Sequence, residues 1–234
     1  KEIVVLAGFD SIQQLITQFI ITPLNGIGTG LPAVILVIII MQLLWFFGVH
    51  GFSIMWGLIS VLWMPIFYEH IQIFVETGSF DKITQVAPNT LCNVYAMIGG
   101  SGSTLALVVL LLVLGKKGSA ERSIGKVSII PGLFGINEPV TFGLPIVLNP
   151  ILSIPFLVMP CISIGLGYLV QKIGLVSMGY IVDPSFTPFF AQGFLSALDI
   201  RNVIFMIVLI IISVGVYYPF FKVYEKNTLA NEAE

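Results

Sequence analysis

Charge is what this sequence has least of. Of its 234 residues only 9% are Asp, Glu, Lys or Arg, where soluble domains carry about 25%. So few charges cannot cover a water-facing surface, which excludes the ordinary soluble classes. They also nearly cancel, at a formal −2, so no basic field exists to hold nucleic acid. Cysteine is scarce as well. Cys92 and Cys161 stand in separate apolar runs, without a CxxC spacing or metal-ligating neighbours, and read as small buried side chains. No cofactor and no metal site is expected. The pattern of a secretory leader is missing: no charged start, short apolar run and small-residue site follow one another. The sequence opens at Lys1 rather than Met and is read as a piece of a longer protein.

What is abundant is apolar. Hydrophobic residues make up 57% of the chain and mean hydropathy is +1.03, the composition of an all-α polytopic membrane protein. Residues 1–30 form a mixed lead-in. Phe9, Ile12, Leu15, Ile16 and Phe19 recur at helical spacing among Asp10, Gln13, Gln14 and Gln18, which predicts an amphipathic helix at the interface. Leu31 to Val49 is the first uncharged run, long enough at about 19 residues to cross a hydrocarbon core of ~30 Å. Phe52 to Tyr68 follows after Gly51, a tight hairpin or a broken element. The polar stretch Glu69–Asn89 reads as a loop or surface helix.

Two stretches break the apolar pattern at membrane depth. Gly99-Gly-Ser-Gly102 interrupts the run through residues 92–104, permitting a helix break or close packing. Pro131, Pro139, Pro145 and Pro150 crowd residues 129–150, a density that a regular helix does not tolerate. Irregular backbone survives in lipid only where protein or a wet cavity satisfies it, so both stretches are read as re-entrant segments of one membrane domain over residues 31–221. Between them Lys116, Lys117, Arg122 and Lys126 supply four of the ten basic residues, which places that loop in the cytoplasm. Ile151–Val170 and Asn202–Phe221 are further spans, and Met178–Leu198 is interrupted at Asp183-Pro184. Lys222 and Lys226 then put the tail over 222–234 in the cytoplasm, with its end, Asn227–Glu234, polar and disordered.

The candidate site centres on Gly135-Ile-Asn-Glu-Pro-Val-Thr-Phe-Gly-Leu-Pro145. A carboxylate at membrane depth costs roughly 2.5–3.5 kcal/mol on insertion. Glu138 can accept hydrogen bonds from hydroxyls, about twice as strong as neutral ones; the rival role is capping amides within the hairpin. Asn137 can donate and accept, or form an Asx turn before Pro139. His50 is either a satisfied core histidine or a ligand. Trp45 lies five residues earlier, and its indole could turn toward a ligand if the helix opens near Gly48. Asn93, Gly100 and Ser101 form a second tier, and the glycines there serve packing equally well. Asp183 is explained as well by a cap before Pro184. His70, Asp199 and Arg201 read as loop or boundary residues, and Trp56 and Trp63 as interface or core aromatics. Broken helices carrying polar groups are how transporters build their sites. A proton- or ion-coupled secondary transporter relaying through Glu138 and His50 stays open on these grounds, as does a non-transporting sensor.

The run Gly135-Ile-Asn-Glu-Pro-Val-Thr-Phe-Gly-Leu-Pro-Ile-Val-Leu-Asn-Pro150 resembles the signature of the IIC permeases of the bacterial phosphotransferase system, in their lactose/cellobiose/diacetylchitobiose family. Trp45-Phe-Phe-Gly-Val-His-Gly51 and Ile98-Gly-Gly-Ser-Gly-Ser-Thr-Leu105 are similar to two further blocks of it, in the same order. The resemblance implies the C-terminal, substrate-binding half of a multi-pass permease of the bacterial cell membrane, with the N-terminal half that makes the homodimer contact absent from this sequence. It implies a β-linked disaccharide as substrate, carried by an elevator-type movement. The sugar 6-hydroxyl is then presented to a phosphocysteine on a IIB partner, itself charged by IIA, and the permease is not phosphorylated. Glu138 would hold that hydroxyl, with His50, Asn137, Trp45, Asn93, Gly100 and Ser101 around the sugar. One block departs: Ser185-Phe-Thr-Pro188 stands where the family has a Trp-Thr-Thr-Pro-like sequence, with Phe186 as a possible replacement for the missing aromatic.

Overall fold

The computed structural model describes residues 28–79, 82–182 and 187–231. The amphipathic reading of the lead-in, Asp183, Phe186 and the last residues of the tail lie outside them. Among the described residues the chain is helical, with no strand, and the all-α membrane class expected from composition is what the fold displays.

Helix α1 (Leu31–Phe46) starts with Pro32 in its first turn, where a missing N–H costs nothing. Helix α2 (Gly51–Thr77) ends on Gly78 at φ 67°, whose N–H closes on the Phe74 carbonyl, a left-handed stop that favours glycine. A π-helical turn (Thr90–Tyr95) and a short 3₁₀ turn (Ser101–Ser103) lead into α3 (Leu105–Leu114). Then come α4 (Ala120–Leu133), α5 (Glu138–Gly143), α6 (Ser153–Lys172), α7 (Phe189–Leu195) and α8 (Ile200–Asn231). By length and composition α6 and α8 can each cross a membrane, and α2 is a third if its 61° bend is counted as one span. Apolar side chains such as Ile39, Ile204 and Ile211 face outward. On a soluble protein such a surface would aggregate; here it is the surface that lipid requires.

Packing runs α1 against α6, and α3 between α4 and α8, with α6 also touching both the π-helical and the 3₁₀ turns. One core joins Ile38 and Met41 of α1 to Trp63 of α2, Tyr95 and Met206. A second joins Trp45 to Leu107, Val140, Phe156 and Tyr217, and so seats the short α5 on the long helices.

The break at residues 96–104 is a knitted loop. Gly99, Gly100 and Gly102 take φ of 82°, 94° and 79°, the region side chains avoid. Ser103 Oγ donates to the Ala96 carbonyl, Thr104 Oγ1 to Gly99 and Tyr217 Oη to Gly102, each at 2.7 Å. In a medium without water every such backbone group must find a protein partner, and hydroxyls do it here.

Three expectations change. Residues 69–77 are the last turns of α2, the helical alternative for that stretch, but His70, read as a loop or boundary residue, is buried at 1% exposure while Glu69 and Glu76 face outward. The basic stretch is loop only to Ser119, whose Oγ caps α4 by accepting the Arg122 N–H at 3.3 Å; Arg122 and Lys126 are helical. The polar tail is helical as far as Asn231. Among the described residues of Met178–Leu198 the seven of α7 are α-helical, in keeping with the expected interruption. Asp199 sits in the connection before α8, and Arg201 in the first turn of that helix. Burial pushes the Asp199 carboxyl up, but bonds from the Ser177 hydroxyl and the Arg201 and Ser177 N–H groups, with the Arg201 charge, bring it below the ordinary carboxylate value.

Candidate functional site

The site exists because α1 stops. After Phe46 the chain turns through Gly48 at φ 79° and restarts as α2 at Gly51. A helix end leaves carbonyls without partners, and the Phe46 carbonyl takes its bond from the Leu148 N–H at 3.1 Å. Leu148 lies just beyond α5. That bond ties the proline-rich segment to the break in α1 and brings Glu138 to His50: His50 Nε2 stands 3.4 Å from Glu138 Oε1, with both side chains a little over 40% exposed.

His50 is held from the other side too. It is the N-cap of α2, a place usually taken by Ser, Thr, Asp or Asn, and its Nδ1 accepts the Ser53 N–H at 3.1 Å. Ser53 Oγ lies 2.8 Å from the same nitrogen. The Trp45 ring packs on the imidazole at 4.4 Å between centroids, tilted 49°, with Phe142 at 6.2 Å. Trp45 is 2% exposed. The opening near Gly48 therefore occurs, but it seats the indole against protein, and stacking on a sugar ring would require the His50 contact to open.

Asn137 joins the two broken segments. Its Nδ2 donates to the Ser101 carbonyl at 3.0 Å and to Thr141 Oγ1 at 3.1 Å. A Cβ on Gly100 would come within 2.6 Å of Asn137 Cβ, so glycine there is required both by φ and by this contact. Asn93 is aimed by the π-helical turn, a feature that often re-registers a side chain at functional sites. Its Nδ2 donates to Asn89 Oδ1 at 3.0 Å, while its Oδ1 is buried without a partner, as is Trp45 Nε1.

Trp45, His50, Asn93, Ser101, Asn137 and Glu138 border one cavity of about 400 Å³, within the ~300–1,000 Å³ of small-molecule sites. Gly100 stands behind it as backbone that seats Asn137. Sequence reasoning missed Ser53, Trp56, Met97 and Gln192, which also line the cavity. Ser53 was recoverable, since it lies three residues after a helix-capping position. Gln192 was not, because it arrives on α7 across an irregular connection. Among the described residues no three His, Cys, Asp or Glu side chains converge. The chemistry on offer is one carboxylate beside an imidazole, with an unpaired amide oxygen and an unpaired indole N–H in the same aromatic-walled cavity. That set suits a neutral polyhydroxylated ligand, whose hydroxyls both donate and accept.

The profile of the family described as "Phosphotransferase system, EIIC" matches residues 3–160. The lichenan permease IIC component of Bacillus subtilis (strain 168) is 31% identical over 226 residues, covering 96% of this chain and 49% of that protein. The cellobiose-specific EIIC component of Geobacillus stearothermophilus is 32% identical over 226 residues, covering 96% of this chain and 50% of that protein. Among solved structures the transporter ChbC, the IIC component of an N,N'-diacetylchitobiose-specific phosphotransferase system, superposes with a TM-score of 0.80 at 33% identity, over 95% of this chain and 51% of that one. The chain thus spans about half the length of the curated relatives it matches. The three sequence blocks, the all-helical membrane fold and the profile lead to one conclusion: this chain belongs to the EIIC family of the phosphotransferase system.

Proposed function

We propose that this chain is the sugar-binding part of a phosphotransferase-system permease that takes up a β-linked disaccharide such as cellobiose, lactose or diacetylchitobiose. The observation that carries the reading is Glu138, a carboxylate facing His50 at 3.4 Å at the edge of the 400 Å³ cavity. The carboxylate accepts the hydroxyl that is to be phosphorylated, where it can also act as general base. Asn93 Oδ1 and Trp45 Nε1 are an unpaired acceptor and donor buried in the cavity wall, which further hydroxyls reach once the wall shifts.

In this reading residues 31–221 move as a body in an elevator-type step, with residues 92–104 and 129–150 as re-entrant segments. The C-terminus and the basic segment lie in the cytoplasm of a bacterial cell, and the full-length permease is a homodimer. The sugar 6-hydroxyl meets the phosphocysteine of IIB, which IIA has charged, and the chain itself carries no phosphoryl group. The test is Glu138→Gln in the full-length protein. Phosphorylated sugar formed by inverted vesicles with IIA, IIB and phosphoenolpyruvate falls by at least ~100-fold, while membrane insertion is unchanged. Wild-type rates in that variant refute the assignment of Glu138. Accumulation of unmodified sugar driven by a proton gradient points instead to a coupled secondary transporter using Glu138 and His50.

A further inference from the structure

Two donors converge on one nitrogen of His50. A backbone N–H can only donate, so the Ser53 amide at 3.1 Å requires a lone pair on Nδ1. The Ser53 hydroxyl, 2.8 Å from the same atom, is then oriented as a second donor. In an imidazole the role of one nitrogen fixes that of the other. With Nδ1 accepting, the ring proton sits on Nε2, the atom that faces Glu138 Oε1 at 3.4 Å. His70 runs the other way: its Nδ1 lies 2.9 Å from the Gly179 carbonyl, which can only accept, so there the proton is on Nδ1.

We propose that Ser53 is a positioning residue of this site, holding His50 as the neutral tautomer that donates from Nε2 to Glu138. The consequence rests on the function proposed above; the tautomer does not. An imidazolium at that distance would pair with the carboxylate and draw its lone pairs away from a sugar hydroxyl. A neutral N–H occupies one lone pair, orients the group and leaves it anionic. Glu138 then remains the single charge of the pair and the stronger acceptor.

The experiment uses the full-length permease in bilayers, labelled with ¹⁵N in its histidine rings, with His50 assigned by comparison with His50→Gln. The expected spectrum near neutral pH shows a pyridine-type Nδ1 and a pyrrole-type Nε2 for His50, and the opposite pattern for His70. Ser53→Pro removes both donors at a position in the first helical turn, where the lost N–H has no intrahelical partner. In that variant the His50 signals become a mixture of forms. Sugar phosphorylation at neutral pH falls about tenfold, the loss of one hydrogen bond to a charged system. Ser53→Thr, which keeps both donors, restores the wild-type spectrum and rate. A pyrrole-type Nδ1 or an imidazolium in the wild type overturns the proposal, and the wild-type spectrum decides even if Ser53→Pro does not insert. So does a folded Ser53→Pro variant with an unchanged His50 spectrum. A wild-type protein with the stated spectrum that phosphorylates none of the sugars tested would instead overturn the functional reading and leave the tautomer standing.

Discussion

The two histidines sit on one helix and do opposite things. His50 begins α2 at the cavity, over 40% exposed, with a carboxylate before it. His70 lies five turns further on, 1% exposed, bonded to the Gly179 carbonyl. His70 belongs to a region shut off from solvent: Tyr95 Oη donates to Asn202 Oδ1 at 2.7 Å and receives Gln171 Nε2 at 3.3 Å, while His70 Nε2, Gln171 Oε1 and Asn202 Nδ2 stay buried without partners. Around His50 the wall opens on the cavity, and both the imidazole and the Glu138 carboxylate are exposed there. An apolar medium penalises an unpaired polar group wherever it lies, so the number of such groups does not separate the two regions. Access does: the part around His70 is a frame, and the part around His50 is the candidate receptor.

The largest effect is expected where frame and receptor meet. Gly100→Ala must hold an alanine at φ 94° and push its Cβ into Asn137, 2.6 Å away. Left-handed strain costs about 1–3 kcal/mol and overpacking about as much again. Loss of stability by ~3–5 kcal/mol, with loss of sugar binding, is the expected outcome in thermal unfolding of the detergent-solubilised protein. A stable, sugar-binding Gly100→Ala variant would show that the two broken segments are not interlocked through Asn137. His50→Ala comes next. It removes a donor facing a carboxylate, worth ~1.5–3 kcal/mol, so sugar affinity by titration should fall roughly 10–100-fold, while loss of the α2 cap takes ~0.5–2 kcal/mol of stability. His70→Ala is the smallest and the mirror image. It strands the Gly179 carbonyl, for ~1–3 kcal/mol of stability, and sugar affinity of the folded protein stays within about twofold. If His70→Ala abolished binding without destabilising, the division between frame and receptor would fail.

Much of the site was legible in the sequence, and the reason is chemical. Glu138, Asn137 and His50 are conspicuous because polar groups are costly in an apolar chain, and the prolines and glycines beside them announce broken helices. Trp45 was legible only as a possibility, since its position depends on how α1 ends at Gly48. What stayed hidden depends on tertiary contact. Glu69, His70 and Glu76 look like one polar loop in sequence; on a helix Glu69 and Glu76 face out while His70 turns inward to a carbonyl 109 residues away. The start of α4 was masked by its own lysines and arginine, which solvate a helical turn as readily as a loop. The Phe46–Leu148 bond, which brings Glu138 to His50, involves only backbone atoms and leaves no trace in side-chain identity.

His50 as the cap of α2 limits what the position can become. Asparagine, aspartate or serine would end the helix equally well, but none carries a second polar atom on the far side of a rigid ring. Under the proposed function a change of preferred sugar therefore has freedom at Trp56, Met97 or Gln192, which border the cavity without closing a helix. At position 50 two requirements of unrelated origin, one from the backbone and one from the ligand, fall on opposite edges of the same five-membered ring.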